Sequence, residues 1–236
     1  MPSGEPFILL DDARRCEIAR VWKHGLAVED LTIASSGRTT FANTVRAEIP
    51  QEEDLRGPEG AVHVIGVQRG KILTDHLVEN SSASGISHLS VLERHGRGSK
   101  PANGFVKGFG ALKGAIASSV GHDSHNLIVV GSHPRDMKAA LQSLIECGGG
   151  FSVVKGGEVL ARLPLPFGGL MSGAGAKNIA GSLRNLHRAS MAIGCILPEP
   201  FLQLAFLSLP VIPSLKLTDK GLVDVNKFQI IDVRAS

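Results

Sequence analysis

The chain has 236 residues, of which 43% are hydrophobic and 20% charged, and its formal net charge is +3 at pH 7. This length allows one large domain or two small ones with a sizeable core, and the composition is ordinary for a globular protein. The basic residues are scattered, tyrosine is absent and Trp22 is the only tryptophan. A basic groove lined with aromatic stacking platforms is therefore not expected, and we predict no nucleic-acid partner.

The cysteine pattern and the N-terminal sequence bear on the compartment. Cys16, Cys147 and Cys195 lie far apart and form no Cys-x-x-Cys pair, which argues against a disulfide framework and is typical of a reducing compartment. No basic segment followed by a long apolar run opens the chain, so we expect no signal peptide. The most apolar stretch, Phe201 to Pro213, is too short to span a bilayer. These patterns predict a cytoplasmic protein without a membrane partner.

Short strands are predicted first along the chain. Phe7 to Leu10 is an apolar run, Ile18 to Lys23 alternates loosely, and Leu26 to Val28 returns after a turn at Gly25, which is a hairpin pattern. Residues Ser35 to Gly60 carry charges and prolines with little periodicity, and we interpret them as a linker. A strand is expected next from Val62 to Val67, and His88 to Arg94 is another apolar alternation. Gly104 to Gly110 follows a glycine-rich loop.

The clearest local unit is a strand followed by a helix and a hairpin. The strand is the apolar run Leu127 to Val130. We expect the helix to begin at Pro134, with Ser132 as its cap, and to end at Gly148 to Gly150. Gly156-Gly157 then form the turn of the hairpin. A unit of this kind indicates a mixed sheet with helices packed on it.

The remaining segments complete the predicted fold. Leu112 to Val120 is small and apolar, which favours close packing or a short helix, and a second helix is expected from Ala176 to Ile193. Short strands are expected around Leu215 and from Phe228 to Val233. The fold class predicted is therefore α/β mixed (α+β). One face of the second helix is predicted to contain Ala180, Leu183, Leu186 or His187, Ser190 and Met191.

The most informative segment runs from Gly121 to Gly131. Five consecutive polar residues, His122 to Asn126, lead directly into the buried strand. Side chains at a strand end are held rigidly and still face a cleft, so a site is expected here, and a hydrogen-bonded corner is the alternative. A metal site made from His122 and His125 alone is not expected, because residues three apart in an extended chain point to opposite faces.

A second polar cluster, Glu93 to Gly96, also lies at a strand end, and a solvated turn with an ion pair is its alternative interpretation. Lys107 stands beside glycines and could reach an anion, although the glycine spacing matches neither a P-loop nor a dinucleotide fingerprint. No His-x-His, no Gly-x-Ser-x-Gly and no deaminase-type Pro-Cys-x-x-Cys motif occurs. The residues alone indicate a cytosolic α/β domain with a histidine-rich polar corner.

A set of segments falls in order between about Ala61 and Asp232 and carries a family resemblance. The segments are Gly104 to Gly110, Gly114 to Val120, His122 to Asn126, Val129 to Gly131, Leu163 to Pro166, Gly169 to Ser172, Leu209 to Pro213, Leu215 to Asp219 and Gly221 to Val225. Together they resemble the C-terminal domain of bacterial adenine deaminase, an amidohydrolase. Phe7 to Asp12 and Val21 to Gly25 are similar to the strands that return to the small β-sandwich after an amidohydrolase barrel.

The resemblance implies a domain division and a set of site residues. Residues 1–55 would be a remnant of the β-sandwich strands with a linker, and residues 56–236 the adenine deaminase C-terminal domain. At matched positions it implies a supporting catalytic region of His122, Asp123, His125 and Asn126, with substrate contacts from Glu93, Arg94, Lys107 and Ser124. It assigns no metal ligand to this chain.

The resemblance also implies a reaction and its requirements. Members of the family convert adenine to hypoxanthine and ammonia, in purine salvage and adenine catabolism, with a metal-bound hydroxide at the mouth of a (β/α)₈ barrel. That barrel and its His-x-His pair are absent from this sequence. We therefore expect no cofactor in this chain, and manganese or iron in a complete enzyme. Adenine is an expected partner where a barrel-containing partner chain supplies the metal, and a homo-oligomer is a further possibility.

Three functions remain open from the sequence. The chain is the C-terminal part of an adenine deaminase, whether a split subunit, a fragment or an inactive truncated remnant, or it is a non-catalytic purine-binding or assembly module. The third is a self-sufficient metal hydrolase that uses His122, His125 and another histidine such as His63, His88 or His95. The third needs a metal site that the family does not build in this domain.

Overall fold

The computed structural model describes residues 7–12, 17–24, 26–27, 43–98 and 100–235. The chain divides into two compact units, residues 1–38 and residues 39–236. Residues 43–55, part of the predicted linker, therefore belong to the second unit. The assignment of residues 1–55 to a β-sandwich remnant stays a prediction.

The first unit contains a three-stranded antiparallel sheet. Its strands are β1 (Phe7–Asp12), β2 (Glu17–Lys23) and β3 (Leu26–Ala27), in the order β1-β2-β3. Phe7 pairs with Trp22 and Lys23 pairs with Leu26. The hairpin pattern is thus confirmed, while Gly25 and Val28 lie outside the described residues.

The second unit is built on an open eight-stranded mixed sheet, which confirms the α+β prediction. The strand order is β11-β10-β8-β9-β6-β7-β4-β5, and the β4–β7 pair is parallel while the other pairs are antiparallel. The strands are β4 (Ala61–Val67), β5 (Thr74–Asn80), β6 (Ile86–Leu92), β7 (Ala102–Lys107), β8 (Ala115–Ser118), β9 (Leu127–Gly131), β10 (Gly150–Lys155) and β11 (Glu158–Pro164).

Helices cover both faces of this sheet, which is why β8 and β9 are buried along their whole length. On one face α1 (Pro134–Cys147) packs Met137 and Leu141 against Leu127 and Val129. On the other face α2 (Ala176–Ala192) and α3 (Pro200–Phe206) pack against the alternate residues of the same strands. Alternate side chains of a strand point to opposite faces, so a continuous apolar run is required wherever both faces are covered.

A three-stranded antiparallel sheet at the C-terminus adds to the second face. It consists of β12 (Leu215–Thr218), β13 (Gly221–Asp224) and β14 (Gln229–Ile231). A Cβ atom placed on Gly104 of β7 would lie 3.5 Å from the Leu217 side chain, so the sheet packs closely on β7. Backbone hydrogen bonds between Thr74 and residues 213–214 join it to β5.

Several local predictions are corrected by the structure. Leu112 to Val120 contains the strand β8, because its small residues fit between β9 and β10 beneath α1. The residue that precedes α1 is His133, and no side chain caps this helix, so Ser132 is not the cap. The strand β5 and the helix α3 were not predicted. The packed face of α2 buries Leu186 and Ser190, whereas Leu183 and Met191 are exposed.

Part of the predicted linker packs into the second unit. Val45, Ala47 and Leu55 are buried in the core on the α1 side, and a short 3-10 helix spans Glu53–Leu55. The charges and prolines that suggested a linker lie around these three buried positions. Within the described residues, no helix is both long and apolar enough to cross a membrane.

Candidate functional site

Neighbouring strand ends bring most of the predicted site residues to one edge of the large sheet. Leu92, the last residue of β6, pairs with Leu127, the first residue of β9. Glu93 and Arg94 therefore follow β6 at the same edge where residues 122–126 lead into β9. We call this region the polar edge: Glu93, Arg94 and residues 122–126, with the side chains of Thr44 and Ser119 and the loop at Gly168 and Gly169.

Arg94 is the centre of the polar edge. Its residue is 5% exposed, and burial lowers the pKa of its guanidinium. Nη1 donates a hydrogen bond to the carbonyl of His125 at 3.0 Å, and Nη2 donates to Thr44 Oγ1 at 3.2 Å and to the carbonyl of Gly168. No carboxylate of the described residues forms an ion pair with it. Oxygen acceptors from three loops compensate the buried charge, so Arg94 clamps those loops together.

Glu93 and Asn126 shape the backbone beside this clamp. The buried Glu93 carboxylate accepts backbone hydrogen bonds from His95 at 2.7 Å and Arg97 at 2.5 Å. Asn126 Oδ1 accepts the backbone N–H of Arg94 at 3.3 Å. The Glu93 cluster is therefore not a solvated turn closed by an ion pair, because its carboxylate is used by backbone donors. These contacts give both side chains a supporting role.

The loop between β8 and β9 presents the accessible side chains. His122, Asp123 and Ser124 are exposed. The His122 ring stacks on Phe206 of α3, with ring centroids 4.9 Å apart, and its backbone N–H donates to the carbonyl of Ala205 at 3.3 Å. Contact from α3 thus orients the His122 ring at the surface. Of the predicted residues at this edge, these three are the ones that a ligand can reach.

His125 turns inward and adopts an unusual backbone conformation. Its φ angle is 50°, in the left-handed region that residues with a Cβ seldom occupy, and it is half-buried. Its Nδ1 atom is buried and has no hydrogen-bond partner among the described residues. The hydrogen bond from Arg94 Nη1 to the His125 carbonyl stabilises this conformation. Of the two histidines, His122 is therefore the one that faces outward.

Ser119 is a site residue that the sequence did not suggest. Its hydroxyl donates to the carbonyl of Gly169 at 2.6 Å and accepts the backbone N–H of Gly150 at 2.7 Å. A Cβ atom on Gly149 would lie 2.5 Å from the Cα atom of Gly169, so both backbones approach each other at glycines. The close approach of the two backbones could have been predicted from the glycines clustered after α1, Gly148 to Gly150, and from Gly168 and Gly169 in the later loop.

Lys107 lies away from the polar edge. It pairs with Ile86 at the beginning of β6, whereas Glu93 follows the end of that strand. Glu93 is seven residue steps beyond Ile86, which corresponds to about 23 Å along an extended strand. Lys107 Nζ contacts both carboxylate oxygens of Glu79, at 2.6 and 2.8 Å. The geometry thus gives Lys107 a local ion pair and does not bring it together with the other predicted residues.

A metal site of the hydrolase type does not form in the described part of the chain. No three His, Cys, Asp or Glu side chains converge there in a way that could hold an ion. His63 lies on β4 and His88 on β6, while His122 is on the outside of the polar edge. The described residues therefore do not fit the metal of a deaminase, and the geometry does not support a self-sufficient metal hydrolase.

Comparison with known sequences identifies similar proteins. The family model for the adenine deaminase C-terminal domain matches residues 67–229. An adenine deaminase of Methylobacterium nodulans is 47% identical over 239 residues, covering 95% of this chain and 42% of the relative. One of Shewanella halifaxensis is 44% identical, with 92% and 40% covered, and adenine deaminase 1 of Rhizobium etli is 43% identical, with 95% and 42% covered. The chain thus spans about two fifths of the length of these relatives.

Proposed function

Because the chain belongs to the family of adenine deaminase C-terminal domains, we propose that it acts as the C-terminal part of an adenine deaminase. The reaction would be the hydrolytic deamination of adenine to hypoxanthine and ammonia. The catalytic barrel would come from the part of the relatives that this chain does not cover, in the same polypeptide or in a partner chain. The proposed setting is purine salvage in the cytoplasm.

One structural observation supports a role for the polar edge in that enzyme. His122, Asp123 and Ser124 are exposed on a loop that Arg94 and Asn126 hold from below. Exposed polar side chains on a rigid support lose little conformational entropy when a second surface binds to them. We infer that these three side chains border the substrate region when a barrel lies against this edge.

The chemistry of the reaction indicates which steps the barrel and this chain would each carry out. Attack of water on the adenine ring needs hydroxide at neutral pH, and a bound manganese or iron ion would supply it from the barrel. The described residues bring together no three His, Cys, Asp or Glu side chains that could hold such an ion, so this chain would bind and orient adenine and exclude water. His122, stacked on Phe206, places an exposed imidazole on this loop.

The direct test uses the purified chain and a complete relative. We expect no adenine deamination by this chain alone, with or without added Mn²⁺ or Fe²⁺, and no stoichiometric iron or manganese. Turnover accompanied by one bound metal ion per chain would overturn the proposal. A barrel-encoding reading frame immediately upstream would favour a split enzyme over a non-catalytic module.

The role of the polar edge is tested in the Methylobacterium nodulans relative. Substitution by asparagine at the position aligned with His122 should lower kcat/KM for adenine more than it lowers the melting temperature. Methionine at the position aligned with Lys107 is the control, because Lys107 lies on β7 opposite Ile86, the first residue of β6, and so is distant from the polar edge. Equal losses of activity and stability at the His122 position would identify a purely structural corner.

An assembly module is the second candidate function. A groove of about 790 Å³ lies between α2 and α3, and its lining combines the apolar Phe151, Leu183 and Phe201 with polar residues that include Arg184, Arg188 and Glu199. Leu183 and Met191 of α2 are also exposed, at 43% and 57%. Exposed apolar surface of this kind marks contacts with another protein surface. A homo-oligomer or a barrel-containing partner would cover it.

A further inference from the structure

Two histidines on adjacent strands of the large sheet approach each other closely. His63 lies on β4 and His76 on β5, in an antiparallel pair where His76 is opposite Ile65. The Nδ1 atom of His63 and the Nε2 atom of His76 are 2.8 Å apart. The ring centroids are 4.8 Å apart with an interplanar angle of 66°. We call these two residues the histidine pair.

Charged groups from the C-terminal sheet surround the histidine pair. Asp224, at the end of β13, is 3% exposed, and its Oδ2 atom is 3.8 Å from His76 Nδ1. Lys227 approaches the same carboxylate at 3.5 Å, and Asp232 lies close enough to act on His63 electrostatically. Asp224 thus faces Nδ1 of His76, while Nε2 of the same ring forms the hydrogen bond with His63.

His63 is half-buried and held in place by its backbone. Its N–H donates a hydrogen bond to the carbonyl of Val233 at 2.8 Å. A neutral imidazole offers one nitrogen lone pair, and metal ions bind that form. The 2.8 Å contact between the rings is a hydrogen bond in which one nitrogen carries the proton, and a metal ion that displaced this proton would have both nitrogens as ligands.

The separation of the two nitrogens matches a shared metal ion. Metal–imidazole bonds are about 2.0–2.1 Å long, so two nitrogens at right angles around one ion lie about 2.9 Å apart. The observed 2.8 Å needs an opening of only about a tenth of an ångström to reach that value. Imidazole ligands suit copper, nickel and zinc, and right-angled geometry is typical of Cu²⁺ and Ni²⁺.

We propose that the histidine pair binds one divalent transition-metal ion, with His63 Nδ1 and His76 Nε2 as ligands and Asp224 as the outer partner of His76. Among the described residues no third His, Cys, Asp or Glu converges, so water completes the coordination. The site lies on β4 and β5, away from the polar edge. A bound ion would link these strands to the C-terminal sheet through Asp224. The affinity should follow the order Cu²⁺ above Ni²⁺, because the affinities of first-row ions for nitrogen sites rise in that order.

The test titrates the untagged, full chain with Ni²⁺ by isothermal calorimetry at pH 7.5. We expect one site per chain, which His63→Asn and His76→Asn each remove. Asp224→Asn should weaken binding about tenfold, as loss of an outer carboxylate partner does in other metal sites. His95→Asn, which changes an exposed histidine elsewhere, is the matched control and should leave binding unchanged. Unaltered binding in both His63→Asn and His76→Asn would overturn the proposal.

A measurement on the unmodified chain keeps the test independent of variant folding. Zn²⁺ is added to the chain labelled with ¹⁵N at histidine, and the imidazole nitrogens are observed by NMR. Two of the nine histidines should shift, one through Nδ1 and one through Nε2. Shifts that leave the histidine pair unmoved, or no shifts at all, would refute the site. Neither result bears on adenine deamination, so this site and the proposed function can fail separately.

Discussion

A fully buried lysine gives the sharpest prediction about stability. Lys216 on β12 is 0% exposed, and its Nζ atom donates one hydrogen bond, to the carbonyl of Ile72 at 3.1 Å. Leu215 and Leu217, its neighbours on the strand, are buried as well. Within the described residues no carboxylate pairs with it. Burial lowers the pKa of Lys216 from 10.5 to about 8.

The sign of the pH effect follows from comparing the two states. Above about pH 10.5 the amine is neutral in both the folded and the unfolded chain, and it costs nothing. As the pH falls towards 8, the unfolded chain takes up the proton first, so the folded state loses relative stability. Below about pH 8 the loss is complete. A pKa difference of about 2.5 corresponds to about 3 kcal/mol of unfolding free energy.

The substitution Lys216→Met isolates the free-energy cost of burying the lysine charge in the folded state. Methionine keeps a long, flexible chain and removes the charge. The lost hydrogen bond to Ile72 costs about 1 kcal/mol, so the net gain in unfolding free energy at pH 7 should be about 2 kcal/mol. Urea unfolding followed by far-UV circular dichroism measures it. Tryptophan fluorescence is unsuitable, because Trp22 belongs to the first unit.

The matched control is Lys220→Met in the turn between β12 and β13. The Lys220 side chain is 66% exposed and pairs with Asp219, so its removal should change the unfolding free energy by less than about 0.5 kcal/mol. The gain from Lys216→Met should shrink as the pH is raised from 8 to 10. A variant less stable than the parent at pH 7, or a gain independent of pH, would refute the reasoning.

Three further predictions concern the polar edge and the α2 surface. Arg94→Lys should lower the unfolding free energy by about 2–3 kcal/mol, because one ammonium group cannot bond to three loops. The control Arg97→Lys changes an exposed side chain and should alter the unfolding free energy by less than about 0.5 kcal/mol. Chemical denaturation measures both values. His125→Asn should be neutral or stabilising by up to about 1 kcal/mol, since asparagine accepts the left-handed conformation, and a lower melting temperature would contradict this. Analytical ultracentrifugation should show that the chain self-associates through the exposed apolar side chains of α2. Leu183→Glu or Met191→Glu should shift the equilibrium towards the monomer. A monomer at all concentrations would exclude self-association through this surface.

The elements that the sequence predicted well are those with local signals. The strand β9, the helix α1 and the hairpin β10–β11 follow from an apolar run, Pro134 at the helix start, Gly148 in the left-handed conformation after its end, and Gly156-Gly157 with positive φ angles in the turn. Each signal acts within a few residues of its own position. The boundaries could therefore be placed without knowledge of the tertiary fold.

The predictions that failed depend on distant contacts. The face of α2 was misplaced because Leu183 borders the groove between α2 and α3, which depends on how two separate helices meet. Lys107 was grouped with Glu93 on the positions that the family resemblance matches, and its role stays a prediction. The register of β6 with β7 places Lys107 opposite Ile86, at the other end of the strand. Periodicity reveals neither the register nor the packing partner.

The polar edge has one part with a local sequence signal and another part that depends on distant contacts, and this difference bears on its proposed function. The polar run from His122 to Asn126 was visible in the sequence, but its support was not, because the acceptors of Arg94 lie 31, 50 and 74 residues away. In the structure the buried members, Arg94 and Asn126, are occupied by backbone partners, while His122 is presented outward. An edge that performed chemistry alone would direct buried polar groups at a common point. Apart from Nδ1 of His125, which has no partner among the described residues, the buried polar groups of this edge bond to its own loops, so we infer that the reacting atoms are held by a surface that meets it.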